Sequence, residues 1–162
     1  MKTLLDDVAS TLSKVLGTKL GRDLSCESID TLDYYNHRAL HVAHITCYTK
    51  DLKHAWILLI FVERPMLEAF SETMIEGLDL DDIEVKEDVM SEMINQLAGN
   101  LAPVFKGHGY SETDISLPNL IQPTREVQLA TLNNDKFQYY LIGEGGETLE
   151  LAVTGYETIS FD

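Results

Sequence analysis

Glu92 and Asn95 stand three residues apart in the segment Asp88-Val89-Met90-Ser91-Glu92-Met93-Ile94-Asn95-Gln96-Leu97-Ala98-Gly99-Asn100. On a helix that spacing puts a carboxylate and a carboxamide on one face. An ionised carboxylate only accepts hydrogen bonds and attracts cations, whereas a neutral carboxamide both donates and accepts. The chemistry open to such a pair is positioning. A carboxamide can orient a small polar molecule such as water by hydrogen bonds, with no shifted pKa. No serine or cysteine in the chain lies in a recognisable nucleophile motif.

A helix must carry this pair. The apolar residues Val85, Val89, Met93, Leu97, Leu101 and Val104, with Phe105 at the margin, recur at helical spacing and predict a core-facing stripe. Asp88, Glu92, Asn95 and Gly99 fall nearly opposite it, on the outer face. The predicted helix runs from about Glu84 to Lys106. Pro103 removes the hydrogen bond that the Gly99 carbonyl would accept, which predicts a bend near Gly99. Polar residues on an outer face are also what ordinary solvated surface looks like, so position alone does not make a site.

The rest of the chain reads as alternating helices and strands. A first helix is expected over Thr3 to Leu16, closed by Gly17. Strands are expected at Leu40 to Tyr48 and His54 to Val62, joined as a hairpin by residues 49–53. The second is apolar on both faces and belongs in the sheet centre. Pro65 opens a short helix that Gly77 ends, and Leu78 to Ile83 is an acidic connector. Asp114 to Ile121 is a strand interrupted by Pro118, as at an edge or bulge. Glu126 to Leu132, Phe137 to Ile142 and Thr148 to Thr154 complete a meander, with turns at Asn133-Asn134-Asp135 and Gly143-Glu144-Gly145-Gly146. The expected fold class is α/β of the α+β kind: one two-layer domain over residues 1–162, a mainly antiparallel sheet packed against long helices.

Composition narrows the function classes. The 162 residues carry 27 acidic and 12 basic side chains, a formal net charge of −15. Such a surface repels phosphate backbones and anionic lipid, so neither nucleic acid nor membrane is an expected partner. The longest apolar run, residues 55–62, is far short of the ~20 residues that span a bilayer. Asp6 and Asp7 interrupt any signal-peptide pattern at the start. Cys26 and Cys47 show neither a disulfide framework nor metal spacing, and a cytoplasmic protein with reduced thiols is expected.

Other constellations are weaker. His41 and Cys47 would share one strand face and His44 and Tyr48 the other, but a metal wants three or four converging ligands, and none is expected. Glu144-Gly145-Gly146-Glu147 is a turn between strands, with no helix behind it to bind phosphate. Asp79-Leu80-Asp81-Asp82 with Glu84 lacks a calcium-loop pattern and reads as solvated connector. There is also a weak internal echo: residues 7–12, with Leu16 and Gly17, resemble residues 88–93, with Leu97 and Ala98. Thr11 then stands opposite Glu92, and Lys14 opposite Asn95.

The segment Glu92 to Asn100, followed by Asp114-Ile115-Ser116-Leu117-Pro118-Asn119-Leu120-Ile121, resembles the CheX branch of the CheC/CheX/FliY chemotaxis phosphatases. Those proteins carry an E-x-x-N signature continued by G-N, and then an I-S-x-P strand. The sequence match covers about Asp88 to Ile121; elsewhere only the order of elements agrees. The chain departs from the family pattern in the first hairpin, with Asp51, Leu52 and Lys53 in its loop and Tyr34, Tyr35, His37, His41 and His44 on its approach. The resemblance implies hydrolysis of the aspartyl phosphate of a response-regulator receiver such as CheY. Glu92 and Asn95 would be catalytic, Asn95 orienting the attacking water and Glu92 docking to the receiver's lysine. Asp88, Gln96 and Gly99 would contact the partner. No cofactor is implied on this chain, because Mg²⁺ belongs to the receiver. Kinship also implies a homodimer. The alternative is a non-catalytic module of the same fold that binds a receiver or a flagellar-switch component, and a more distant one is an acidic scaffold without a receiver partner.

Overall fold

The computed structural model describes residues 3–30, 41–110, 112–121 and 137–157. The strongly apolar hairpin forms where its sequence requires. Strand β2 spans His41–Thr49 and β3 spans His54–Val62, paired antiparallel from His41 opposite Val62 to Tyr48 opposite Ala55. Around them run α1 (Leu4–Leu20), β1 (Cys26–Ile29), α2 (Arg64–Met74), α3 (Ile83–Ala98), α4 (Ala102–Gly107), β4 (Thr113–Ile115), β5 (Asn119–Ile121), β6 (Gln138–Glu144) and β7 (Glu147–Glu157). The expected strand Glu126 to Leu132 and the turn at residues 133–135 lie outside the described residues.

Every strand pairing among the described residues is antiparallel, in the order β1-β6-β7-β3-β2-β4, with β5 also on β2. This is the expected α+β class, and β3 lies inside the sheet. Trp56, Leu58, Ile60 and Val62 of β3 face the helices and join the main core. Phe61 on the opposite face is fully buried with Val42, Tyr139 and Ala152. Pro118 interrupts the edge as its missing N–H demands, leaving β4 and β5 as two short pieces on β2. Between them Ser116 keeps the join closed: its N–H donates to the Thr46 carbonyl and its hydroxyl accepts from the Thr46 N–H, both at 2.9 Å. The Gly145-Gly146 turn closes β6 onto β7 with φ of 60° and 92°, the left-handed geometry of a two-residue hairpin.

Three boundaries differ from the sequence reading. α1 does not stop at Gly17. It continues to Leu20 and is capped by Gly21 at φ 72°. Gly17 is buried inside it, where an added Cβ would stand 2.6 Å from the Arg22 carbonyl oxygen. It allows close packing rather than helix termination. α2 ends at Met74, before Gly77, because Ile75 is already extended. The long helix expected over Glu84 to Lys106 is two helices, α3 and α4, rather than one bent helix.

The strand order also gives the weak sequence echo a physical form. Exchanging β1, β2 and β3 with β4, β6 and β7 returns the same order reversed. α1 precedes the first set and α3 the second. Their buried positions correspond one for one: Val8, Ala9, Leu12, Ser13, Leu16 and Gly17 with Val89, Met90, Met93, Ile94, Leu97 and Ala98.

Cys47 is buried at the core face of β2, and burial pushes its thiol up to about 12. It packs as a small apolar group. Cys26 is exposed on β1. Among the described residues no group of three or more His, Cys, Asp or Glu is placed to hold a metal. No helix among them is long and apolar enough to cross a membrane.

Candidate functional site

α3 begins at a defined cap. The Asp82 carboxylate accepts from the N–H groups of Glu84 and Val85 at 3.0 and 3.2 Å, satisfying donors that have no partner within the helix. The neighbouring acids of the connector are also engaged. Asp79 accepts from the Asp81 N–H at 3.0 Å, and Asp81 pairs with Arg64 of α2 at 2.7 Å.

The buried stripe is wider than the periodicity suggested, and it is rotated. Val89, Met93, Leu97 and Leu101 are buried as expected, but Met90, Ile94 and Ala98 join them, while Val85 and Val104 are only partly buried. Phe105 is fully buried rather than marginal. The rotation sets Asp88, Glu92, Asn95 and Gly99 more squarely opposite the core, and all four are exposed.

At the C-terminal end the chain turns sharply. The N–H of Asn100 reaches the Leu97 carbonyl and that of Leu101 the Ala98 carbonyl, three residues back instead of four. α4 then restarts with Pro103 in its first turn, where no donor is needed. α4 is held from both sides. Phe105 stacks on Trp56 of β3 at 4.4 Å between ring centroids, and Tyr110 meets Trp56 edge-on at 4.7 Å. His108 Nε2 lies 2.6 Å from Asp7 Oδ2 on α1. The turn carrying Gly99 is therefore fixed to both the sheet and the first helix.

Gly99 has ordinary right-handed backbone, φ −59° and ψ −14°. An added Cβ would stand 3.2 Å from the Asn95 carbonyl oxygen, so a shift of a few tenths of an ångström would admit a side chain. Conformation does not require glycine here. What glycine provides is a bare surface beside Asn95.

Glu92 and Asn95 lie together on the exposed face. Among the described residues the Asn95 carboxamide makes no hydrogen bond. Glu92 is held: Gln96 Nε2 donates to Glu92 Oε1 at 2.8 Å. Gln96 is half-buried beside them and its backbone carbonyl accepts from Asn100 Nδ2 at 2.9 Å. These two contacts were missed by sequence reasoning, which placed Gln96 only as a partner contact. The signal available was the four-residue spacing of Glu92, Gln96 and Asn100, the spacing at which helix side chains meet.

The surrounding surface is acidic. Glu84, Glu87 and Asp88 are exposed along the same helix, and its last turn has no basic residue. Such a face favours a cationic group on whatever approaches it. The histidines expected near the first hairpin form no site in the described residues: His44 is half-buried, and Tyr34, Tyr35 and His37 lie outside them, as does the His41 side chain.

No protein-family model and no curated protein matches the chain. Solved structures match nearly all of it. The chemotaxis protein CheX of Vibrio vulnificus superposes with a TM-score of 0.71 at 13% identity, covering 94% of this chain and 99% of that one. CheX of Borrelia burgdorferi, solved in a CheX-CheY-BeF3-Mg²⁺ complex, superposes with a TM-score of 0.66 at 17% identity, over 96% and 99%. FliM of H. pylori, from a FliM-SpeE complex, gives 0.60 at 11% identity, over 93% and 83%. The chain has the fold these proteins share.

Proposed function

We propose that this chain is a CheX-like phosphatase of the CheC/CheX/FliY family that hydrolyses the aspartyl phosphate of a response-regulator receiver domain. The observation that carries this reading is the exposed pair on α3, with the Asn95 carboxamide unengaged and Glu92 held beside it. The Borrelia relative of the same fold was solved with CheY, which supports a receiver as partner.

The chemistry asked of the chain is small. The receiver supplies the acyl phosphate, a lysine and Mg²⁺, and what it lacks is a water held in line with phosphorus. Asn95 donates to and accepts from that water, as a glutamine does in small GTPases. Glu92 Oε1 is bound to Gln96, so Oε2 faces the receiver lysine and fixes the register of α3 on its partner. Asp88 extends the acidic face toward that lysine, and Gly99 lets the receiver backbone approach. Each tenfold in rate is about 1.4 kcal/mol of barrier, so about a hundredfold acceleration is within reach of one oriented water. The protein works in the cytoplasm, where receivers are found, as a homodimer.

The second reading is a module that docks a receiver or flagellar-switch component without chemistry. The fold shared with FliM favours it. Mixing the protein with phosphorylated receivers and following phosphate loss separates the two. Acceleration supports the phosphatase, binding without acceleration supports the docking module, and no binding in any phosphorylation state overturns both.

A further inference from the structure

Gln96 is the one residue of the α3 face whose burial and bonding do not match its type. Its Nε2 donates to Glu92 Oε1 at 2.8 Å, while its own Oε1 is shut off from solvent and accepts no hydrogen bond among the described residues. An enclosed acceptor without a donor destabilises a fold. Turning the amide over does not relieve it, because that would set two acceptor oxygens against each other at Glu92. The matching position on α1 shows that packing does not demand a carboxamide. Val15 occupies it, half-buried against the core. An apolar side chain fits the corresponding place on α1, which leaves the amide at Gln96 without a role in packing.

We infer that Gln96 is a positioning residue for docking: it holds the Glu92 carboxylate in one rotamer before the partner arrives. The inference rests on the receiver-phosphatase reading above. A free glutamate on a helix surface samples several rotamers and loses that freedom on binding a cation. Tied to Gln96 through Oε1, it has lost much of it in advance, and Oε2, which makes no hydrogen bond among the described residues, remains for the receiver lysine. Preorganisation of this kind acts on association, not on the water-orienting step at Asn95.

The test compares Gln96→Leu with wild type, each with Glu92 intact and with Glu92→Ala. With Glu92 intact, Gln96→Leu raises KM for the phosphorylated receiver by about three- to tenfold, the range expected for one long side chain left unrestrained. Its kcat stays within about twofold. Its Tm equals or exceeds that of wild type, because the enclosed oxygen is gone. In the Glu92→Ala background the same substitution leaves KM unchanged, since there is no carboxylate left to hold. A KM rise of equal size in both backgrounds, or a fall in Tm, means that Gln96 is merely structural and overturns the inference. An unchanged KM with Glu92 intact also overturns it, while leaving the phosphatase reading standing. If wild type accelerates no receiver, the phosphatase reading fails and the inference falls with it.

Discussion

α1 and α3 are the same helix on the inside and different helices on the outside. Both lie on one face of the sheet, each leading one of the two strand sets that exchange when the sheet order is reversed. Inward, six buried positions correspond. Outward, Thr11, Lys14 and Thr18 stand where α3 has Glu92, Asn95 and Gly99, and at the half-buried boundary Val15 stands where it has Gln96. The buried residues are constrained by close packing, where one methylene too many or too few is felt. The outer residues are free of that demand. The contrast separates what the fold needs from what a partner would need: an exposed carboxamide without a bond, a held carboxylate and a bare glycine.

The comparison first predicts equal damage on the inside. Leu12→Ala and Met93→Ala occupy matching buried positions, and each should cost about 2–5 kcal/mol of stability, read from the midpoint of urea unfolding. A large effect for one and none for the other would break the correspondence of the two helices.

The outside should behave oppositely. Glu92→Ala should weaken receiver binding by about tenfold, the loss of one charge-assisted contact. Thr11→Ala, its counterpart on α1, should leave binding within about twofold. Titration calorimetry against the receiver reads both, and equal losses would place the docking surface somewhere other than α3.

The glycine gives a smaller and sharper effect. Gly99→Leu should weaken binding about fivefold by a steric clash, while its right-handed backbone keeps the fold intact, with Tm within a few degrees of wild type. Thr18→Leu at the corresponding place on α1 should do nothing to binding. A Gly99→Leu protein that binds normally would show that the bare surface is not used.

Much of this was legible before the structure, and the parts that were not have physical reasons. The β2–β3 hairpin was clear because seven of the nine residues of β2 and eight of the nine of β3 are β-branched, aromatic or apolar, with a mostly polar loop between them. The Glu92 face was clear because α3 is amphipathic. A helical rhythm does not fix the centre of the buried stripe, however, and Met90, Ile94 and Ala98 were left out of it. Nor does a proline distinguish a bend from a break. The three-residue hydrogen bonds at Asn100 and Leu101 mark the break, and beyond it Phe105 seats against Trp56. Gly17 misled as a helix end because glycine also serves close packing, and the contact it allows is to Arg22 beyond the helix end. At the site, residue types were readable, and the four-residue spacing of Glu92 and Gln96 signalled a possible contact. Helix spacing permits that contact without requiring it, and the structure is what shows Glu92 held and Asn95 not.

The central claim is that Asn95 orients the attacking water. Single-turnover phosphate loss from a saturated, phosphorylated receiver, measured with wild type and with Asn95→Ala while binding is followed in parallel, tests it most directly. The account predicts that Asn95→Ala binds within about twofold of wild type and loses the acceleration, about a hundredfold, down to the receiver's own rate. Undiminished phosphate loss by Asn95→Ala would contradict it.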